Sequence, residues 1–169
     1  MWRSPEAHAE GPMNKPSDIF IFAIIVCFTR TCIVTLSLEE GVNEIVFRSA
    51  FTRLTKRVIF SVLKEELGKD EELLSVVLKR QLSYFRDLEA FNGFLQYLHK
   101  GNPENYWIEI FQVVRSSFNA KYPREPFSLW QDEIIDEDFR DLIVKMANFN
   151  PEKRITAQEA LDHKWFMNV

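Results

Sequence analysis

Apolar residues recur at helical spacing in four separate stretches of the chain, and the gaps between them hold residues that start and stop helices. Phe139, Leu142, Ile143 and Met146 fall at i, i+3, i+4 and i+7, one face of a helix that opens in the acidic turn DEDF. Asn150 and Pro151 are expected to end it. Leu73, Leu74, Val77 and Leu78 make a second stripe after the acidic run from Asp70. Phe91, Phe94, Leu95 and Leu98 make a third before the turn KGNPEN. Ile108, Phe111 and Val114 continue at a spacing of three until Arg115, Ser116 and Ser117 interrupt them. Thr156 and Glu159 have the T-x-x-E spacing of a capping box ahead of Ala160 and Leu161.

The amino-terminal end reads the same way. Ser4 before Pro5 predicts an N-cap with proline at the first helical position, where its missing N–H costs nothing. A short helix from Pro5 to Glu10 should follow, stopped at Gly11 and Pro12. The stretch NKPSDIFIFAIIVCF predicts a helix capped by Ser17 or Asp18 and apolar on every face, which belongs in the middle of a domain. Beyond it, TRTCIVTLSLEEGVNEIVFRSAFT has no sustained period, and strand and loop both fit it. NAKYPREPFSLW, with two prolines in four residues, predicts an extended loop over the surface. The fold class is therefore mainly α.

Composition adds exclusions. A chain of 169 residues, 46% hydrophobic and 14% aromatic, holds enough for one domain with a buried core. Its 21 basic and 25 acidic side chains give a net charge of −4 with no long block of either sign. Neither a nucleic-acid footprint nor a polybasic membrane surface is implied. Cys27 and Cys32 lack the second pair and the histidines of a zinc site, so they read as reduced thiols of a cytoplasmic or nuclear protein. The run IFIFAIIVCF covers ten residues, whereas a spanning helix needs about 20. Glu6, Glu10 and Asp18 precede it where a signal peptide would be basic.

Three segments taken in order, RSPEA at 3–7, PSDIFIFAII at 16–25 and NPEKRITAQEALDHKWF at 150–166, resemble the carboxy-terminal part of the large lobe of a eukaryotic protein kinase. The last follows the family ending D-P-x-x-R-x-[ST]-A-x-E-[AL]-L-x-H-x-[WY]-F, with Asn150 in place of the usual aspartate. Ser4, Pro5 and Glu6 match the A-P-E element with serine for alanine. The resemblance implies a protein-kinase large-lobe helical fragment in which Glu6 pairs with Arg154, a pairing that the arginine fork suits. It implies that Asp18 opens the long central helix, and that Trp165 and Phe166 close the lobe as apolar anchors. It also makes Trp2 and Arg3 the remnant of a substrate-facing loop.

The family's activity, transfer of the γ-phosphate of ATP to a protein hydroxyl with magnesium, needs a Gly-rich loop, a strand lysine, H-R-D and D-F-G. The glycines at 11, 41, 68, 93 and 101 cannot form G-x-G-x-x-G. His8, His99 and His163 are followed by Ala9, Lys100 and Lys164, so none opens H-R-D. Catalytic, cofactor-binding and metal-binding residues are expected to be absent from a chain truncated relative to the family. Asp18 and Leu54 lie 36 positions apart, far more than the family leaves, which predicts an irregular insert over 28–52 from a retained intron or an error in exon assignment. Two roles remain open: an inactive kinase fragment, or a non-enzymatic module that binds a protein partner through exposed lobe surface.

Overall fold

The computed structural model describes residues 3–37, 67, 72–130 and 135–167. Among these the chain is mainly helical, with α1 at Pro5–His8, α2 at Lys15–Ser37, α3 at Leu73–Phe85 and α4 at Leu88–Gly101. There follow α5 at Trp107–Ser116, α6 at Glu137–Met146, α7 at Ala157–Leu161 and α8 at Lys164–Met167. Two 3-10 turns, Phe127–Leu129 and Pro151–Lys153, link the later helices.

α2 is the longest element, 23 residues or about 34 Å at the α-helical rise. It starts at Lys15 with Pro16 in its first turn, so neither Ser17 nor Asp18 caps it as the sequence suggested. Its apolar surface divides: Phe20, Ala23, Ile24 and Cys27 are buried at helical spacing, whereas Phe22 and Ile25 are about half exposed, at 49% and 43%. A helix apolar on every face is thus buried on only part of its circumference. It also runs on through Thr29, Thr31, Val34 and Thr35 to Ser37, where strand or loop had been expected. Propagating a helix already formed gains one hydrogen bond per residue, and the lower helix propensity of β-branched residues costs only a few tenths of a kcal/mol each, roughly. The opening ten residues of the anticipated insert are therefore helical; residues 38–52 of it lie outside the described residues.

α4 and α6 carry well-formed caps. Asp87 accepts from the Ala90 N–H at 2.6 Å, and Asp136 from the Phe139 N–H at 2.7 Å. Phe91, Phe94 and Leu98 on α4, and Phe139, Leu142, Ile143 and Met146 on α6, are almost wholly buried. On α3 the buried stripe moves toward the carboxy-terminal half, to Val77, Leu78, Leu82 and Phe85, and Leu73 is exposed. α6 stops at Met146, four residues before Asn150; Asn150 instead caps the Pro151–Lys153 turn by accepting from Glu152 N at 3.0 Å. The stretch before α6 is less superficial than its prolines implied, since Phe127 is fully buried.

The elements meet around two groups of aromatic rings. Phe91, Phe94, Phe111 and Phe149 bring α4, α5 and the end of the α6 loop together, Phe94 standing edge-on to both Phe111 and Phe149 at 4.9 Å. Phe20, Phe85, Phe127 and Trp130 join α2, α3 and the 127–129 turn. Each fully buried ring contributes roughly 1.5–3 kcal/mol relative to exposure. Around these groups α2 packs against α6 and α3 against α5.

Candidate functional site

The most constrained polar arrangement among the described residues lies where α1, the start of α2 and the loop after α6 converge. α1 begins with Ser4 in extended conformation, but the Ser4 hydroxyl makes no capping bond and is buried without a partner. Pro5 at the first helical position starts the turn instead. The helix ends at His8, two residues short of the expected Glu10. Glu10 has φ +52°, the left-handed region that a non-glycine residue rarely adopts. That sharp reversal brings Gly11 against Leu98, where a Cβ would lie 2.6 Å from a leucine methyl. The Glu6 side chain is thereby held inward, with no exposed surface.

Arg154 reaches Glu6 across 148 positions of sequence and binds it with both prongs. Nη1 donates to Oε1 at 2.5 Å and Nη2 to Oε2 at 2.8 Å. Ser17 donates its hydroxyl to the same Oε1 at 2.7 Å and accepts the Asn14 N–H at 3.4 Å, so from inside the first turn of α2 it serves Glu6 rather than standing as the N-cap residue. The rest of the arginine fork is also committed: Nε donates to Asn148 O at 2.7 Å and Nη1 to Pro16 O at 3.0 Å. Its guanidinium carbon sits 4.9 Å from the Phe20 ring centroid. One side chain thus ties together α1, the first turn of α2 and the 148–150 loop. Burial alone would push the Glu6 carboxyl up; the Arg154 hydrogen bonds and charge, helped by Ser17, hold it below the ordinary carboxylate value.

The other sequence-derived residues lie apart from this cluster. Asp18, one position beyond Ser17, is exposed in the first turn of α2, where its charge favours the helix dipole. Arg3 has an exposed side chain, and its carbonyl accepts from Gln81 Nε2 at 2.8 Å. Trp2 lies outside the described residues. Trp165 is partly buried against Phe139, with ring centroids 5.2 Å apart, and stands edge-on to Phe166 at 4.7 Å.

A second polar group, not anticipated from sequence, fastens His163 and the start of α8 to α6. His163 and Asp141 meet at 2.9 Å, Asp141 also takes Lys145 at 2.8 Å, and Lys164 reaches Asp138. Burial would raise the Asp141 carboxyl, but Lys145 and His163 hold it down on balance. The His163–Asp141 and Lys164–Asp138 contacts join residues 22 and 26 positions apart and leave no periodic trace. The capping box between Thr156 and Glu159 is complete, with both reciprocal bonds present. Among the described residues, no group of three or more His, Cys, Asp or Glu side chains is placed to hold a metal, and no helix is long and apolar enough to cross a membrane.

Comparison with known proteins points in one direction. The chain is 52% identical over 48 residues to the serine/threonine-protein kinase cds1 of Schizosaccharomyces pombe, a match covering 28% of the chain. It is 30% identical over 104 residues, 62% of its length, to calcium-dependent protein kinase 12 of rice, Oryza sativa. It is 45% identical over 65 residues, 38% of its length, to the dual specificity protein kinase KNS1 of Saccharomyces cerevisiae. These matches span only 10%, 19% and 8% of the three relatives. No protein-family model matches the chain, and no solved structure matches it. Part of this mainly helical chain, up to 62% of it, is kinase-like in sequence.

Proposed function

We propose that these 169 residues form the helical floor of a protein-kinase-like large lobe, from the A-P-E-like element at Ser4–Glu6 to the motif ending at Phe166, and act as scaffold rather than as catalyst. The observation that carries this reading is the buried two-pronged Glu6–Arg154 pair, which joins the first and last of the kinase-like segments. The A-P-E glutamate and the arginine of the last motif pair in this way in the family, and a carboxylate and guanidinium with no exposed surface hold only when matched to each other. Whole relatives carry names that state serine/threonine or dual specificity kinase activity. The corresponding reaction, ATP-dependent phosphorylation of a protein, calls for nucleotide and magnesium groups that the sequence of this chain does not supply.

Calorimetric titration with ATP, in the presence of magnesium and again with the metal chelated, tests the reading. No magnesium-dependent binding is expected. Saturable binding near one equivalent that requires magnesium would overturn it.

The half-exposed Phe22 and Ile25 on α2 favour a second reading, in which the chain acts through a protein partner that covers this face. A monodisperse, cooperatively melting chain that gains stability with a partner supports that role; insoluble or non-cooperative material opposes it.

A further inference from the structure

Away from the Glu6–Arg154 pair, three arginines gather where α3 ends, α5 ends and the loop before the 127–129 turn passes over them. Arg86 follows the last residue of α3, Arg115 is in the last turn of α5, and Arg124 lies in the loop. Arg86 and Arg115 flank one aromatic ring, with their guanidinium carbons 5.8 and 5.3 Å from the Phe91 centroid, and Arg86 also lies 6.0 Å from the Phe118 centroid. Arg124 donates through Nη2 to the carbonyls of Ser83 and Arg86, which fixes it beside the other two.

Among the described residues this concentration of charge is unbalanced. None of the three has a carboxylate oxygen within 4.0 Å among the described residues. The nearby Asp87 has its Oδ1 engaged with the Ala90 N–H. The Nε atoms of Arg86 and Arg124 are shut off from solvent and have no hydrogen-bond partner. Each guanidinium carries five N–H donors in a fixed fork, and those of Arg86 and Arg115 make no hydrogen bond among the described residues. All three side chains remain partly exposed, so a ligand from solution reaches them. Burial, with the Arg124 and Arg115 charges, pushes Arg86 down to about 10 against the opposing pull of Asp87.

We propose that Arg86, Arg115 and Arg124 form a binding site for a phosphate monoester dianion. A dianion matches the surplus charge, and its tetrahedral oxygens offer acceptors to guanidinium groups brought together from three elements, a pairing that planar guanidinium groups favour. The surplus of three cations over Asp87, among the described residues, makes a singly charged carboxylate the poorer match. The site shares no residue with the Glu6–Arg154 pair.

The test is a titration of the full chain with inorganic phosphate and with a phosphoserine peptide, against chloride and the unphosphorylated peptide at matched ionic strength. Saturable binding of a phosphate probe is expected, weakened at least tenfold in Arg86→Gln and in Arg115→Gln. The Arg115 guanidinium lies over the Phe91 ring and makes no hydrogen bond or ion pair among the described residues, so Arg115→Gln should keep the melting temperature in chloride and serves if Arg86→Gln folds poorly. A peptide that binds more tightly than inorganic phosphate assigns a protein-borne phosphate; equal affinity assigns a free one. Absence of saturable binding, or equal binding by wild type and Arg115→Gln, would overturn the proposal.

Discussion

Replacing Arg154 by methionine removes the side chain that holds three parts of the chain together. Glu6 would keep the Ser17 hydroxyl and lose both arginine prongs, while remaining fully shielded from solvent. The carbonyls of Pro16 and Asn148 would lose a charged donor. Breaking a buried pair by removing one partner costs about 3–5 kcal/mol, because the remaining charge stays buried and uncompensated. A domain of this size has a total stability of about 5–15 kcal/mol and loses about 2–4 °C of melting temperature per kcal/mol, so the variant should melt roughly 6–20 °C lower or not fold at all. Urea denaturation followed by circular dichroism at 222 nm, on Arg154→Met, Glu6→Gln and the double variant, measures the coupling directly. The double variant should be less damaged than the sum of the singles by at least about 2 kcal/mol, since removing both partners leaves no lone charge. If either single change costs less than about 1 kcal/mol, the value of an exposed pair, or if the two effects simply add, the reasoning fails.

Three further outcomes are expected. A Cβ on Gly93 would press into the Asn150 amide, with its Cγ at 2.8 Å; Gly93→Ala should therefore cost about 1–3 kcal/mol by overpacking and should be partly relieved by Asn150→Ala, read from the same urea curves. Burial, with the Arg3 charge, lowers His8 from 6.5 to about 4, and its Nε2 is buried without a partner. Folding thus favours the neutral ring, so stability is complete above pH 6.5 and falls as pH drops from 6.5 toward 4. The full shift corresponds to about 3 kcal/mol, which solvent screening at this half-buried ring reduces to about 1–2, and His8→Gln should flatten the melting profile across that window. Thr156→Ala deletes one half of the capping box and should cost about 1 kcal/mol by thermal melting, with Thr156→Ser restoring most of it.

Periodicity made the later helices legible. Phe139, Leu142, Ile143 and Met146 all turn inward, as did Phe91, Phe94 and Leu98, because an amphipathic stripe on a surface helix has one way to bury itself. The capping box was readable for a similar reason, since both of its bonds are local. α2 was misread at both ends. Ser17 reads as a cap from its position before an apolar run, and only a glutamate from another element explains why it turns to Oε1 instead. The run from Thr29 to Ser37 looks irregular because β-branched residues obscure the pattern, yet the helix continues through it. Glu6 and Arg154 were nameable as partners solely through their motifs, since no spacing rule connects residues 148 apart. Arg86, Arg115 and Arg124 belong to no motif and to three separate elements, so their proximity is a property of the fold alone.

On the proposed scaffold role these residues provide structure without phosphotransfer. Incubating the purified, cooperatively folded chain with magnesium and γ-labelled ATP and a mixture of protein substrates, then counting label on protein, tests it most directly. No incorporation above a heat-denatured control is expected. Time-dependent transfer to protein hydroxyls that scales with the concentration of this chain would contradict it.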